Sequence, residues 1–205
     1  MSDSEKALRF PDACVAMFAR APLKGKVKTR LIPALGEQGD LDLHMWLTQK
    51  QISVLNTGKL CRAELWVDQN PDDPVFNKFK GEIKLQRGEN LGDRMAAAAQ
   101  SVLGEFSAVL IIGSDCPDID ETYLEEALSV LFDGQTDVVL GPALDGGYVL
   151  IGMRQYHPEL FQDIAWGTET VHRDTLLRIR NSSLTYAELP VLRDIDTAED
   201  LKSLL

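Results

Sequence analysis

Four stretches hold residues whose types and spacing suit chemistry. In the first, Arg20, Lys24, Lys26, Lys28 and Arg30 fall within eleven positions, and no acid lies between Asp12 and Glu37. A chain of formal net charge −11 that gathers cations in one loop has the makings of an anion site, with phosphate the commonest small candidate. Gly25 inside that loop allows backbone to approach a di- or triphosphate closely. The second stretch, Gly113-Ser114-Asp115-Cys116-Pro117-Asp118, sets Asp115 in a turn just past an apolar run. A carboxylate so placed can ligate Mg²⁺, which takes one or two protein carboxylates and leaves its other positions to phosphate and water. In the third, Asp145 sits between Leu144 and the pair Gly146-Gly147, a turn from which it could face a substrate hydroxyl. The fourth, Arg193 to Asp200, offers Asp196 or Thr197 as a helix cap with Asp200 completing a capping box, which leaves Asp194 free as a second metal ligand.

Each stretch also has a plainer reading. Charge runs are usually solvated, Asp115 and Asp118 could simply cap a helix opening near Asp120, and Asp145-Gly146-Gly147 is a hairpin turn whatever else it does. Other chemistries are excluded more firmly. There is no GxxxxGK[ST] loop and no GxGxxG after a strand. The three histidines are scattered: His44 and His172 are expected on helix surfaces and His157 in a turn before Pro158, which argues against a histidine dyad or a zinc site. Cys14, Cys61 and Cys116 are odd in number and form no CxxC pair, so no disulfide framework is expected, and Cys14 and Cys61 read as small core residues. The negative charge disfavours nucleic acid as a partner, and no apolar run reaches membrane-spanning length. The polar opening MSDSEKALRF lacks an apolar signal core, so a cytoplasmic protein is expected.

The elements that must position these residues alternate. Ala13 to Phe18, Ala63 to Val67, Ile83 to Leu85, Ala108 to Ile112, Asp137 to Leu140, Tyr148 to Ile151 and a short run near Leu184 to Leu189 read as strands. Helical spacing is predicted from about Gly39 to Asn56, with Leu43, Trp46, Leu47, Val54 and Leu55 on one stripe. It recurs on Leu91, Met95, Ala98, Ala99, Val102 and Leu103, and on Tyr123, Leu124, Ala127, Leu128 and Leu131. Further helices are expected from about Glu169 to Arg180 and Thr197 to Leu204. The alternation predicts a three-layer α/β/α sandwich, with residues 1–12 a flexible lead-in and 13–205 a single domain. The Gly-Gly turn is too short for a parallel crossover, so one antiparallel pair and a mixed, mostly parallel sheet are expected. In such a sheet the carboxyl ends of the strands, where Asp115 falls, are where ligands bind.

In this order and spacing, the blocks FARAPLKGKVKTRL, ENLGDRM, IIGSDCPDI, GPALDGGYVLIG, WGT and DIDTAEDL resemble the bacterial glycosyltransferase-A-like family, long catalogued as a domain of unknown function. More distantly the chain is similar to molybdenum-cofactor guanylyltransferase and 2-phospholactate guanylyltransferase, which share the nucleotide-diphospho-sugar transferase fold. The resemblance implies about seven strands, an aspartate-based site for Mg²⁺ or Mn²⁺, and a nucleotide over the amino-terminal half. Asp115 matches the aspartate of the metal motif, Asp194 or Asp196 the second metal position, and Lys28 and Arg30 the phosphate-binding cations. Arg94, in LGDRM, is expected at the same pocket, together with Arg20, Lys24, Gly25, Gly146 and Gly147. Trp166-Gly167-Thr168 either covers an acceptor pocket or starts a helix. One departure matters: the Gly-rich LxGGxSxRMGxxK opening of the nucleotidyltransferases is absent, so their base and sugar contacts do not carry over. The implied activity is metal-dependent transfer from a nucleotide-sugar donor to a small-molecule acceptor, through Asp115 and Lys28, with Asp145 and then Asp118 as candidate bases. Nucleotidyl transfer to a phosphorylated acceptor and a non-catalytic nucleotide sensor are the alternatives.

Overall fold

Uninterrupted apolar runs become strands covered on both faces, because alternate residues must then bury in opposite directions. In the computed structural model, which describes residues 7–204, β1 (Ala13–Ala19) sends Val15 and Met17 to one core and Cys14 and Ala16 to the other, all at 0–1% exposure. The other strands are β2 (Arg62–Val67), β3 (Glu82–Leu85), β4 (Ala108–Gly113), β5 (Val138–Pro142), β6 (Tyr148–Met153) and β7 (Tyr186–Glu188). They form one seven-stranded sheet in the order β3-β2-β1-β4-β6-β5-β7. Only β6 runs antiparallel to its neighbours, as the Gly-Gly turn requires. The helices are α1 (Ile32–Leu55), α2 (Leu91–Leu103), α3 (Glu121–Phe132) and α4 (Val171–Asn181). Residues of α1 and α3 pack in one core and residues of α2 and α4 in the other, giving the three layers. Among the described residues no helix is long and apolar enough to cross a membrane.

The feature that positions a site is the change of direction at β1. The chain steps outward from β1 to β2 and β3, then returns so that β4 pairs on the other side of β1, with Phe18 opposite Gly113. At such a switch the loops after two neighbouring parallel strands diverge and leave a crevice.

Expectations for the helices are corrected. α1 begins seven residues earlier than the periodicity suggests, with a break at Gly36, whose φ of 71° lies outside the helical region. Its buried stripe is mainly polar: Asp40, His44, Thr48 and Gln51 lie there with Leu47 and Ile52, whereas Trp46 is 47% exposed. His44 is therefore not a surface residue. The final helix is reduced to a 3₁₀ segment, Asp200–Leu204. Of the lead-in, residues 1–6 lie outside the described residues, while Arg9 and Phe10 dock: their amides donate to the Lys59 and Leu60 carbonyls, Arg9 pairs with Glu125, and Phe10 stacks on Phe132.

Candidate functional site

The cationic loop leaves the end of β1 and is fastened at three points. His44 Nε2 lies 3.0 Å from the Arg20 carbonyl, which can only accept, so that nitrogen carries a proton and donates it. The Ala21 amide donates to Asp68 Oδ1 at 2.8 Å. Lys28 turns into the left-handed region (φ 46°, ψ 34°), an uncommon conformation for a residue with a Cβ. That turn sends its side chain inward to 3% exposure, where Nζ donates to the Ile195 carbonyl at 2.5 Å. Nζ also stands 3.1 Å from Asp115 Oδ2 and 3.5 Å from Asp196 Oδ1.

The acids reach Lys28 from two directions. Asp115 follows β4, and its carbonyl accepts the Ile195 amide at 3.1 Å, which stitches the two acid-bearing segments together. Gln51 on α1 holds the same turn from below, its Nε2 donating to the Cys116 and Ile119 carbonyls. In Asp194-Ile195-Asp196 the middle residue is fully buried against Leu31 and Leu47, and both flanking carboxylates line the cavity. Asp196 is compensated by Arg30 Nη1 at 2.7 Å as well as by Lys28. Among the described residues no cation forms an ion pair with Asp194. Burial, and then the charges of Asp145 and Asp196, push its carboxyl up to about 6, against a weaker pull from Lys28. Asp200 is structural: its carboxylate takes the Asp196 and Thr197 amides and the Thr197 hydroxyl, and Arg193 closes on it.

These groups open onto a cavity of about 640 Å³ above the β1–β4 junction. Of the residues picked out from sequence, Arg20, Lys26, Lys28, Arg30, Arg94, Asp115, Asp145, Gly147, Trp166, Asp194 and Asp196 line it. Lys24, Gly25 and Gly146 do not, nor does Asp118. Gly25 turns toward Glu37, and Gly146 braces the turn: at φ 88° a Cβ there would stand 2.2 Å from the Glu169 carbonyl oxygen. Asp145 accepts the Gly147 amide at 2.8 Å and remains exposed. Trp166 stands edge-on to Tyr148, its indole nitrogen over Gly92, where a Cβ would come within 2.4 Å. Among the cavity residues given no site role from sequence are Phe18, His44 and Gln86. His44 looked like a helix-surface residue because its neighbours in the periodic stripe are polar. Gln86 follows a strand of only four residues and carries no motif.

The fold family implies a divalent metal. Among the described residues no three Asp, Glu, His or Cys side chains converge as a ready cage. The donor chemistry nonetheless fits: Asp115 and Asp194 offer hard oxygens in the number that Mg²⁺ or Mn²⁺ takes beside a phosphate, and Asp194 stands half-buried among like charges with no ion-paired cation among the described residues. The cysteines take no part. All three are free and buried, and burial raises their thiols, Cys116 to about 11.

Sheet order and three-layer packing define the class: this is the nucleotide-diphospho-sugar transferase fold. Residues 51–168 match the model of a family described as "Uncharacterized protein conserved in bacteria (DUF2064)", and the chain belongs to that family. No curated protein matches its sequence. Among solved structures it is similar to a candidate nucleotide-diphospho-sugar transferase from Desulfovibrio desulfuricans G20, at 31% identity and a TM-score of 0.86, over 95% of this chain and 87% of that one. It also shares its fold with CMP:2-keto-3-deoxy-manno-octonic acid synthetase complexed with CTP, at 12% identity and TM-score 0.60, over 94% and 96% of the two chains. A third similar structure is Rv0371c from Mycobacterium tuberculosis H37Rv in complex with manganese, at 16% identity and TM-score 0.55, over 94% and 97%.

Proposed function

We propose that this protein transfers a sugar from a nucleotide-diphospho-sugar donor to a small-molecule acceptor, with a divalent cation assisting. The observation that carries this reading is the meeting of Lys28 with Asp115 and Asp196, at 3.1 and 3.5 Å, in the mouth of the cavity at the β1–β4 switch. The similarity to the Desulfovibrio protein supports it. Cleavage of the sugar–phosphate bond leaves a nucleoside diphosphate whose new charge must be met. Lys28 is held for that task by three partners, and Arg30 adds a second cation at the rim. Asp115 and Asp194 are the residues that would hold Mg²⁺ or Mn²⁺, since Asp196 is paired with both Lys28 and Arg30, whereas Asp115 shares only Lys28 and Asp194 is in ion-pair contact with neither. Bound there, the ion would act as a Lewis acid toward the departing phosphate oxygens. Asp145 lies exposed in the cavity lining, close enough to Asp194 for its charge to raise that carboxyl, and would take the proton of an acceptor hydroxyl as that oxygen attacks the sugar.

The test is to incubate the protein with a panel of nucleotide sugars and Mn²⁺ and to measure released nucleoside diphosphate. Release that is lost in Asp115→Asn and falls by about tenfold or more in Lys28→Met is expected. Pyrophosphate release from NTPs instead would indicate nucleotidyl transfer, and tight nucleotide binding with no turnover would indicate a sensor.

A further inference from the structure

The ammonium of Lys28 has three N–H groups, and three protein oxygens stand around it: the Ile195 carbonyl at 2.5 Å, Asp115 Oδ2 at 3.1 Å and Asp196 Oδ1 at 3.5 Å. With the side chain 3% exposed, an anion in the cavity gains Nζ only where one of those oxygens gives way. Arg30 is not committed in this manner. It is 66% exposed and spends one end of a five-donor guanidinium on Asp196. The three partners of Lys28 also differ in how readily they part from it. The Ile195 carbonyl is fixed, because that residue is fully buried and its amide donates to the Asp115 carbonyl. Asp196 is shared with Arg30 at 2.7 Å. Asp115 is 44% exposed, lines the cavity, and among the described residues pairs with no cation but Lys28. It is the acid that a cation from solvent can reach, and Lys28 already stands on it. Two cations on one carboxylate in a half-buried mouth repel each other strongly, and twice as strongly when one of them is divalent.

Resting on the donor reading above, we propose that Lys28 guards the metal site: its ammonium competes with a divalent cation for Asp115, and gives that carboxylate up only when a diphosphate arrives to take the freed N–H. The anchor on the Ile195 carbonyl stays, so the exchange needs a swing of the side-chain tip and no movement of the loop. Metal alone then binds weakly, because it must share Asp115 with a like charge. Metal and diphosphate together bind well, because the diphosphate brings negative charge for both cations. Lys28 is in this way the residue that couples the two ligands, and by linkage each raises the affinity for the other.

The test is equilibrium dialysis of Mn²⁺ against the wild type, Lys28→Met and Lys28→Gln, with and without inorganic pyrophosphate on both sides of the membrane. Without pyrophosphate, both variants should bind Mn²⁺ about tenfold tighter than the wild type, since the competing charge is gone. A lysine that only held the acids in place would give the opposite result, weaker Mn²⁺ binding in its absence. With pyrophosphate the order should reverse, the wild type retaining more Mn²⁺ than either variant. Variants that bind Mn²⁺ alone no more tightly than the wild type, or an order that pyrophosphate does not reverse, would overturn the proposal. Should Lys28→Met fail to fold, Lys28→Gln, whose amide can still donate to the Ile195 carbonyl, decides it. If no form retains Mn²⁺ in either condition, the metal of the donor reading itself fails; if all three bind it alike, only the exchange at Lys28 does.

Discussion

Asp194→Asn should stabilise the metal-free protein near neutral pH while removing its response to metal. The carboxyl of Asp194 rises from an ordinary 3.8 to about 6, first through burial and then through the charges of Asp145 and Asp196. Unscreened, that displacement corresponds to about 3 kcal/mol against ionisation. Asp194 is only partly buried, so water screens the repulsion and about 1–2 kcal/mol is the reasonable expectation. Because the folded-state value lies above the unfolded one, the wild type loses this stability as pH rises from about 4 through 6. Asparagine cannot ionise and escapes the loss. For a chain of this length the gain is roughly 2–8 °C in Tm at pH 7.5 and close to nothing at pH 4. Melting curves for both proteins in EDTA at the two pH values measure it directly. Mn²⁺ should then raise the Tm of the wild type but not of the variant. An asparagine variant less stable than the wild type at pH 7.5, or one with an equal gain at pH 4, would refute this electrostatic account of the acid cluster.

Three further outcomes are expected. Lys28→Met strands Asp115, leaves Asp196 with Arg30 alone, and should cost about 1–3 kcal/mol in urea unfolding, discounted because both acids are partly exposed at 44% and 35%. Gly92→Ala forces a methyl against the Trp166 indole and the Phe161 carbonyl oxygen, at 2.4 and 2.6 Å, and should cost about 1–3 kcal/mol, with a change in tryptophan fluorescence as Trp166 is displaced from the cavity wall. The three buried thiols should stay unreactive toward a disulfide reagent at pH 8 and titrate together only on unfolding, because burial holds each in its inert protonated form.

What could be read from the sequence follows from what its rules assume. Strands β1 and β4 were legible because residues such as Val15 and Leu110 are buried on both faces, which leaves a continuous apolar run. The antiparallel β6 was legible because two glycines cannot span a crossover. Helix α1 was misjudged where burial and polarity part company: Asp40, His44, Thr48 and Gln51 are 0–3% exposed, yet a period counted on apolar residues passes over them. His44 and Gln51 hold carbonyls of the two loops that carry Lys28 and Asp115, so polar side chains there serve as fasteners. Lys28 and Asp115 could be chosen by type, since each follows a buried strand. That they share one site was expected, but their direct contact was not, because it depends on β1 and β4 being neighbours and on the left-handed turn at Lys28. Gln86 was invisible for a similar reason: its amide is aimed by carbonyls on β1 and β2, which are distant in the chain.

The central claim is that one cavity mouth brings Lys28, Asp115 and Asp194 together to hold a divalent cation and a diphosphate. Titrating nucleoside diphosphates into the wild type and Asp115→Asn, with Mn²⁺ and with EDTA, tests it most directly. The account predicts binding at least about tenfold tighter in Mn²⁺ for the wild type and no metal dependence in Asp115→Asn. Equal affinity of the wild type in Mn²⁺ and in EDTA would contradict it.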